Sequence, residues 1–267
     1  MKRVAWLTDI HLSFVEEENR QDFVDLIVQS EADAMLIGGD IGEATNVVAF
    51  LKNIGDIFET PTYIVLGNHD FYGGGITSVR KAVDALCDVH PFLHFLTTAT
   101  SPVQLSENVA LVGHDGWADA REGDYSRSLV MMNDYRLIEE LARFEKQDRL
   151  AELHRLGDEA AQHVREQLDL ALQSNTTAFV LTHVPPFREA CWYRGQVSDD
   201  EWAPHFVCQA MGRAILDMAE IHPNKDITVL CGHTHSPGEC QPAPNVRVIT
   251  GGAQYGIPGI TKVFEVK

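Results

Sequence analysis

The sequence predicts an α/β fold with a partly parallel sheet, on two observations. Short apolar runs recur along the chain, and amphipathic segments long enough to be helices fill several of the gaps between them. The runs "RVAWLTD" (3–9), "AMLIGGD" (34–40), "TYIVLGNHD" (62–70), "VALVGHD" (109–115), "AFVLTH" (178–183), "TVLCGH" (228–233) and "VRVITGG" (246–252) read as buried strands. Each is bounded by polar residues or Gly. Residues 18–30, 43–58, 76–89 and 205–221 have helical apolar spacing, and in the last Phe206, Ala210, Ile215, Met218 and Ala219 are expected on one face. The closing "TKVFEVK" reads as a final strand.

Residues 126–173 differ, with mixed charges and apolar residues at three- and four-residue intervals. That pattern predicts one or two long helices joined near Gly157. With no internal repeat, low-complexity tract or linker, the expectation is a single domain over 1–267 with a helical insertion at about 118–175.

A net charge of −18 repels a nucleic-acid backbone, and no Lys/Arg cluster offsets it, so no nucleic-acid partner is expected. No apolar run approaches the roughly 20 residues that span a bilayer. The stretch before Thr8 and Asp9 is too short for a signal-peptide core, so cytoplasmic residence is expected. The cysteines are odd in number, scattered and without a C-x-x-C pair, which predicts reduced thiols.

The strand ends carry the chemistry. The apolar runs finish within a residue or two in Asp, His, Asn or Gly, and in α/β sheets ligands collect outside the carboxyl ends of strands. Asp9 and His11 are two apart, so strand alternation puts both on one side, and His233 and His235 repeat the spacing. Asp40, Asn68 and His69 follow glycines, which let the backbone approach a ligand closely, and His183 closes a run. Asp9, His11, Asp40, Asn68, His183, His233 and His235 offer nitrogen and oxygen donors without a thiolate, too many for one structural zinc. The set suits two divalent metals (Mn, Fe or Zn) sharing a bridging carboxylate. Two dications against two carboxylates leave a cationic excess for a phosphate, and a bridging water of lowered pKa supplies a hydroxide nucleophile.

The motifs "DIH" (9–11), "GGD" (38–40), "GNHD" (67–70), "THVPP" (182–186) and "GHTH" (232–235), in that order, resemble the calcineurin-like metallophosphoesterases. The resemblance implies a four-layer αββα sandwich of two packed, largely mixed sheets flanked by helices. It implies one metal on Asp9, His11, Asp40 and His235 and the other on Asp40, Asn68, His183 and His233. His69 would protonate the leaving-group oxygen or stabilise the transition state. Glu43 after "GGD", and Thr182 where Gly is common, depart from the family pattern without removing a ligand.

Outside these motifs the residues carry weaker signals. His114 ends a run and is a candidate for orienting substrate, beside a turn role. Residues 187–204 are either a packed loop or a lid on which Arg188 or Arg194 pairs a phosphate oxygen. Asp70 is expected to stabilise a turn, Cys231 to be core, and Gly73–Gly75 to be a turn without P-loop context. His154 and His163 are expected on a solvated helix face, and His90, His94, His205 and His222 as surface or satisfied core residues. The expected function is hydrolysis of small phosphodiesters, with phosphomonoesterase or nucleotide pyrophosphatase action as alternatives at the same centre. A non-catalytic scaffold would be marked by a lost ligand or a lost His69, and none is lost.

Overall fold

The computed structural model describes residues 1–267. The first part alternates strand and helix: β1 (Lys2–Leu7), α1 (Glu17–Gln29), β2 (Ala34–Gly38), α2 (Val47–Phe58), β3 (Thr62–Val65), α3 (Ile76–Val89) and β4 (Leu93–Phe95). The middle holds β5 (Val103–Gln104), β6 (Val109–Gly113), the single turns α4 (Asp134–Leu137) and α5 (Glu139–Ala142), α6 (Lys146–Ser174) and β7 (Thr177–Leu181). The last part runs β8 (Trp192–Tyr193), β9 (Gln196–Val197), α7 (Gln209–Ile221), β10 (Asp226–Cys231), β11 (Gly238–Ala243), β12 (Val246–Thr250) and β13 (Lys262–Val266).

Two mixed sheets result, ordered β13-β1-β2-β3-β4 and β11-β12-β10-β7-β6-β5. Their inner strands are parallel, while β13, β5 and β11 close the edges antiparallel. Period-two alternation then sorts each strand between two cores. Val4 and Trp6 of β1, Leu36 of β2, Phe179 and Leu181 of β7, and Leu230 of β10 point into the space between the sheets. Ala5, Leu7, Met35 and Ile37 face α1, α2 and α3 on one outer side. Ala178, Val180, Val229 and Cys231 face α6 and α7 on the other. The fold is the expected four-layer αββα sandwich, and Cys231 is core.

The structure adds detail to the sequence reading. Of the one or two helices expected around Gly157 there is one, α6, which runs through it, and the glycine leaves room for Asp119, which a side chain there would strike. As the crossover between parallel neighbours β6 and β7, α6 packs in the outer layer. In α7 the buried face is Met211, Ala214, Ile215, Met218 and Ala219, while Ala210 is half-buried and Phe206 precedes the helix. Strands β4, β5 and β11 gave no sequence signal, being very short or, for β11, a bulged edge containing Pro242.

The apolar layer between the sheets fixes how the strand ends meet. Leu230→Ala, at a fully buried position facing that layer, is expected to cost about 2–5 kcal/mol in urea unfolding. A cost under about 1 kcal/mol would mean that the layer is not tightly packed.

Candidate metal centre

Loops leaving β1, β2, β3, β7 and β10 converge at one edge of the sandwich. Backbone hydrogen bonds lace the first two together, from Asp9 N to Gly39 O (3.0 Å) and from His11 N to Asp40 O (2.9 Å). Asp9, His11, Asp40, His233 and His235 all have positive φ, between 42° and 70°. The strand alternation expected for the Asp-x-His and His-x-His pairs therefore fails. Left-handed turns, sterically costly for residues with a Cβ, aim these side chains instead. The loops pack so closely that a Cβ on Gly39 would sit 2.7 Å from Leu66 C, and one on Gly67 or Gly232 would strike the Asp40 or Asp9 carboxylate.

Asp70 pins the loops from beneath, accepting from Ile41 N (2.9 Å) and Gly42 N (2.7 Å) on one oxygen and Gly67 N (2.9 Å) on the other. Burial, partly offset by these bonds, raises its carboxyl to about 6. The turn-stabilising role expected of it is what the geometry shows.

The donor atoms fall into two groups that share Asp40. In the first, His11 Nε2 lies 2.9 Å from His235 Nε2 and 3.7 Å from Asp40 Oδ2, and His235 Nε2 lies 3.4 Å from Asp9 Oδ1. All four residues bring a donor atom within 4.8 Å of one another. In the second, Asn68 Oδ1 lies 3.1 Å from His183 Nε2 and 3.0 Å from His233 Nδ1, and His183 Nε2 lies 3.4 Å from Asp40 Oδ1. Ligands about 2.1 Å from a common cation stand roughly 3.0–3.4 Å apart, so the spacings of the second group match a coordination sphere and those of the first are looser.

Hydrogen bonds behind the second group decide which atoms face inward. His183 Nδ1–H donates to Gly38 O (2.9 Å), which leaves Nε2 bare. His233 Nε2–H reaches His205 O (3.4 Å), which leaves Nδ1 bare. Asn68 Nδ2 donates to Asp134 Oδ1 (2.9 Å) and Tyr72 Oη (3.0 Å), turning its Oδ1 toward both imidazoles. Three lone pairs thus face one another with no proton between them, an arrangement that a cation relieves.

The ionisation states agree except at His235, which burial would lower but which the Asp9 contact and the charges of Asp9 and Asp40 raise. Burial lowers His11 and His233 to about 3, so both are neutral at pH 7, as ligating imidazoles must be. Burial would raise Asp9, but its contact with His235 and the surrounding imidazoles hold it below the usual carboxylate range. Burial, then repulsion from Asp9 and Asp70, pushes Asp40 well up: it is the carboxylate most in need of a positive neighbour.

His69 N donates to Asp40 Oδ1 (2.9 Å), which holds its ring over the shared carboxylate and against Tyr72, centroids 4.4 Å apart. Burial lowers it to about 4. Tyr255 stands across from it, hydroxyl 3.5 Å from His69 Nε2 and ring 4.5 Å from that of His11. Tyr72, Asp134 and Tyr255 were not singled out in the sequence. Asp134 and Tyr255 fall outside every motif, and Tyr72 reads as part of the turn after "GNHD".

A family model of the calcineurin-like phosphoesterases matches residues 2–237. The chain belongs to the calcineurin-like phosphoesterase family. It is accordingly a metal-dependent phosphoester hydrolase. Among solved structures it is similar to a phosphopantetheinyl hydrolase from Mycobacterium tuberculosis, with TM-score 0.68 and 14% identity over 95% of this chain and 89% of that one. A dimetal phosphatase from Danio rerio aligns with TM-score 0.56 and 14% identity over 94% of this chain and 87% of that one. At such identity the likeness is one of fold. A search of curated proteins finds no match.

The peripheral candidates of this phosphoesterase lie elsewhere. His114 is buried away from the loops, accepting from Gly116 N (3.0 Å) and packing on His163, ring centroids 5.3 Å apart. That contact also takes His163 off the solvated face expected for it. Arg188 is committed to Asp200 (2.6 Å) and Ser198 O (2.9 Å), and Arg194 sits on an exposed hairpin turn over Tyr193. No arginine lines the cavity at the centre. Residues 193–202 do line it, so the loop is a wall of the site, with Arg188 and Arg194 outside that lining. Gly75 precedes α3, whose first free N–H groups, at Ile76 and Thr77, are satisfied internally by Glu140 (2.8 and 2.9 Å).

His205 is a satisfied core histidine with a structural task. Its ring is clamped between Tyr135 Oη (2.6 Å) and Ser128 Oγ (2.9 Å), and burial, with Lys146 and Arg149 nearby, lowers it to about 4.

Two outcomes follow for the phosphoesterase. Asp134→Ala frees the Asn68 amide to rotate, and metal affinity should fall about 10–100-fold in chelator competition, as loss of an outer hydrogen bond does; unchanged affinity would remove Asp134 from this role. An unfolded imidazole titrates near 6.5, so His205 withdraws stability as pH falls from about 6.5 toward 4. In His205→Gln the loss of unfolding free energy between pH 7 and 5 should therefore shrink by about 2 kcal/mol; an unchanged pH dependence would contradict the buried neutral state.

Proposed function

We propose that this phosphoesterase is a dinuclear hydrolase of small phosphodiesters. Asp9, His11, Asp40 and His235 would hold one divalent cation, and Asp40, Asn68, His183 and His233 the other, with Asp40 as the bridge. The observation that carries this reading is the pair of donor sets converging on either side of one buried carboxylate, Asp9, His11 and His235 on one side and Asn68, His183 and His233 on the other. When bound, the cations would offset phosphoryl charge and activate a water for attack near neutral pH. Manganese, iron and zinc all suit nitrogen and oxygen donors of this kind.

The protein's own groups supply the rest. Asp70 and the zipped loops hold Asp40 and Asp9 in place, so the donors need no rearrangement on binding. His69, neutral at pH 7, is placed to donate an N–H hydrogen bond to a phosphoryl or leaving-group oxygen. Its low pKa favours that stabilising role over proton delivery from an imidazolium. Tyr255, pushed up to about 12 by burial, keeps its proton and offers a second donor beside it. A cavity of about 890 Å³ opens from these groups, far more than one phosphate fills, which supports a substrate with an organic arm on either side of phosphorus. No helix is long and apolar enough to cross a membrane, and the five cysteines are free, which supports the cytoplasmic reading.

Chelator treatment should abolish hydrolysis of bis(4-nitrophenyl) phosphate and added Mn²⁺ restore it. Asp40→Asn should cost both metals and activity, whereas His69→Ala should lower kcat about 100–10,000-fold with metal content unchanged. Metal-loaded protein that hydrolysed 4-nitrophenyl phosphate or a nucleotide pyrophosphate but no diester would move the assignment to the phosphomonoesterase or pyrophosphatase reading.

A further inference from the structure

The cavity that opens at Asp40, Asn68, His69, His233 and His235 continues outward between two walls, residues 129–133 and 193–202. Leu129 is 89% exposed, Met131 54%, Tyr193 58% and Trp202 46%, and all four line this one cleft. Large apolar side chains left in water are unremarkable singly, but a contiguous set beside a reactive centre marks a binding surface. An aromatic path leads from the centre into it: Phe206 lies on His233 with centroids 4.7 Å apart, and Trp202 lies 5.9 Å beyond Phe206.

The charges in the cleft are all of one sign. No Lys or Arg lines it, and beyond Asp40 its charged groups are Asp199 and Glu201. The nearby cations are engaged elsewhere. Arg188 pairs with Asp200, Lys146 donates to Ser126 O and Ser128 O, and Arg149 donates to Leu141 O and Phe144 O. Arg194 stays over the Tyr193 ring at the hairpin turn.

The walls are also built rather than loose. Ser128 Oγ donates to Glu201 O (2.8 Å) and bonds His205 Nε2 (2.9 Å), while Leu129 N donates to Glu201 Oε1 (3.4 Å). One wall is thereby tied to the base of the other.

We propose that this cleft selects phosphodiesters whose second arm is extended, apolar and uncharged, and rejects substrates bearing a further anionic group. The proposal rests on the phosphodiesterase reading above and names its substrate class. The phosphoryl charge is met at the donor loops, but a second phosphate or a carboxylate farther out would face Asp199 and Glu201 with no counter-charge. An apolar arm instead covers Leu129, Met131 and Trp202, and the flexible methionines at 131 and 132 let the cleft follow chains of differing shape. Each fully buried methylene is worth up to about fourfold in binding.

The test uses metal-loaded full-length protein and three 4-nitrophenyl phosphodiesters with one leaving group and different second arms: methyl, octyl, and octyl ending in a phosphate. The expected kcat/KM for octyl exceeds methyl by about tenfold or more, and the phosphate-ended arm falls at least about tenfold below octyl. Trp202→Ser with Met131→Ser should shrink the octyl-to-methyl ratio, and Asp199→Lys with Glu201→Lys should raise the phosphate-ended arm relative to octyl. Both are ratios within one preparation, so a partly unfolded variant does not mimic them. Equal rates on methyl and octyl, or preference for the phosphate-ended arm, overturn the proposal and leave the hydrolase reading standing. Hydrolysis of none of the three overturns the phosphodiesterase reading and this proposal together.

Discussion

The Asp40 carboxylate is buried between two sets of nitrogen and oxygen donors, and most of the molecule's local design answers to that placement. Its own neighbours make it costly: burial and the charges of Asp9 and Asp70 all favour its protonated form. The loops that present it adopt left-handed turns at Asp9, His11, Asp40, His233 and His235, each sterically unfavourable. Such an arrangement persists only if the surroundings over-determine it. Here they do, through the backbone bonds between the first two loops, the Asp70 clasp, and glycines at 39, 67 and 232 that let the loops touch. The stability that tolerates this strain comes from elsewhere, from the apolar layers on both faces of both sheets.

The legibility of the sequence follows from this division. Parallel inner strands are buried on both faces, so they appear as continuous apolar runs, and all of those runs are strands. The donor residues were legible because short motifs sit where the strands stop. Their orientation was not, since φ at Asp9 or His235 is set by packing between loops distant in sequence, which a period-two argument cannot register. Strand β11 was silent because an edge strand needs no apolar alternation, and Gly157 left the helix count open because a helical glycine can serve close approach as well as interruption.

Residues that act through a donor were the least visible. Asp134 reaches Asn68 across 66 positions, and Tyr255 meets His69 across 186, with no local pattern to announce either contact. The arginines failed for the opposite reason. Arg188 has the right chemistry for a phosphate and lies in the right loop, but Asp200 occupies its guanidinium. Composition nominates a residue for a role, and competition among neighbours decides it.

His205 touches three things at once. Its ring is held by Ser128 and Tyr135, which flank one wall of the cleft, it follows closely on the segment that forms the other, and its carbonyl accepts from the His233 imidazole. A shift of either wall therefore reaches His233 through a single residue. The outer cleft and the donor loops thus share a mechanical joint at His205. Were ligands bound at both ends of that joint, thermodynamic reciprocity would require that any factor by which one steadies the other be returned in full.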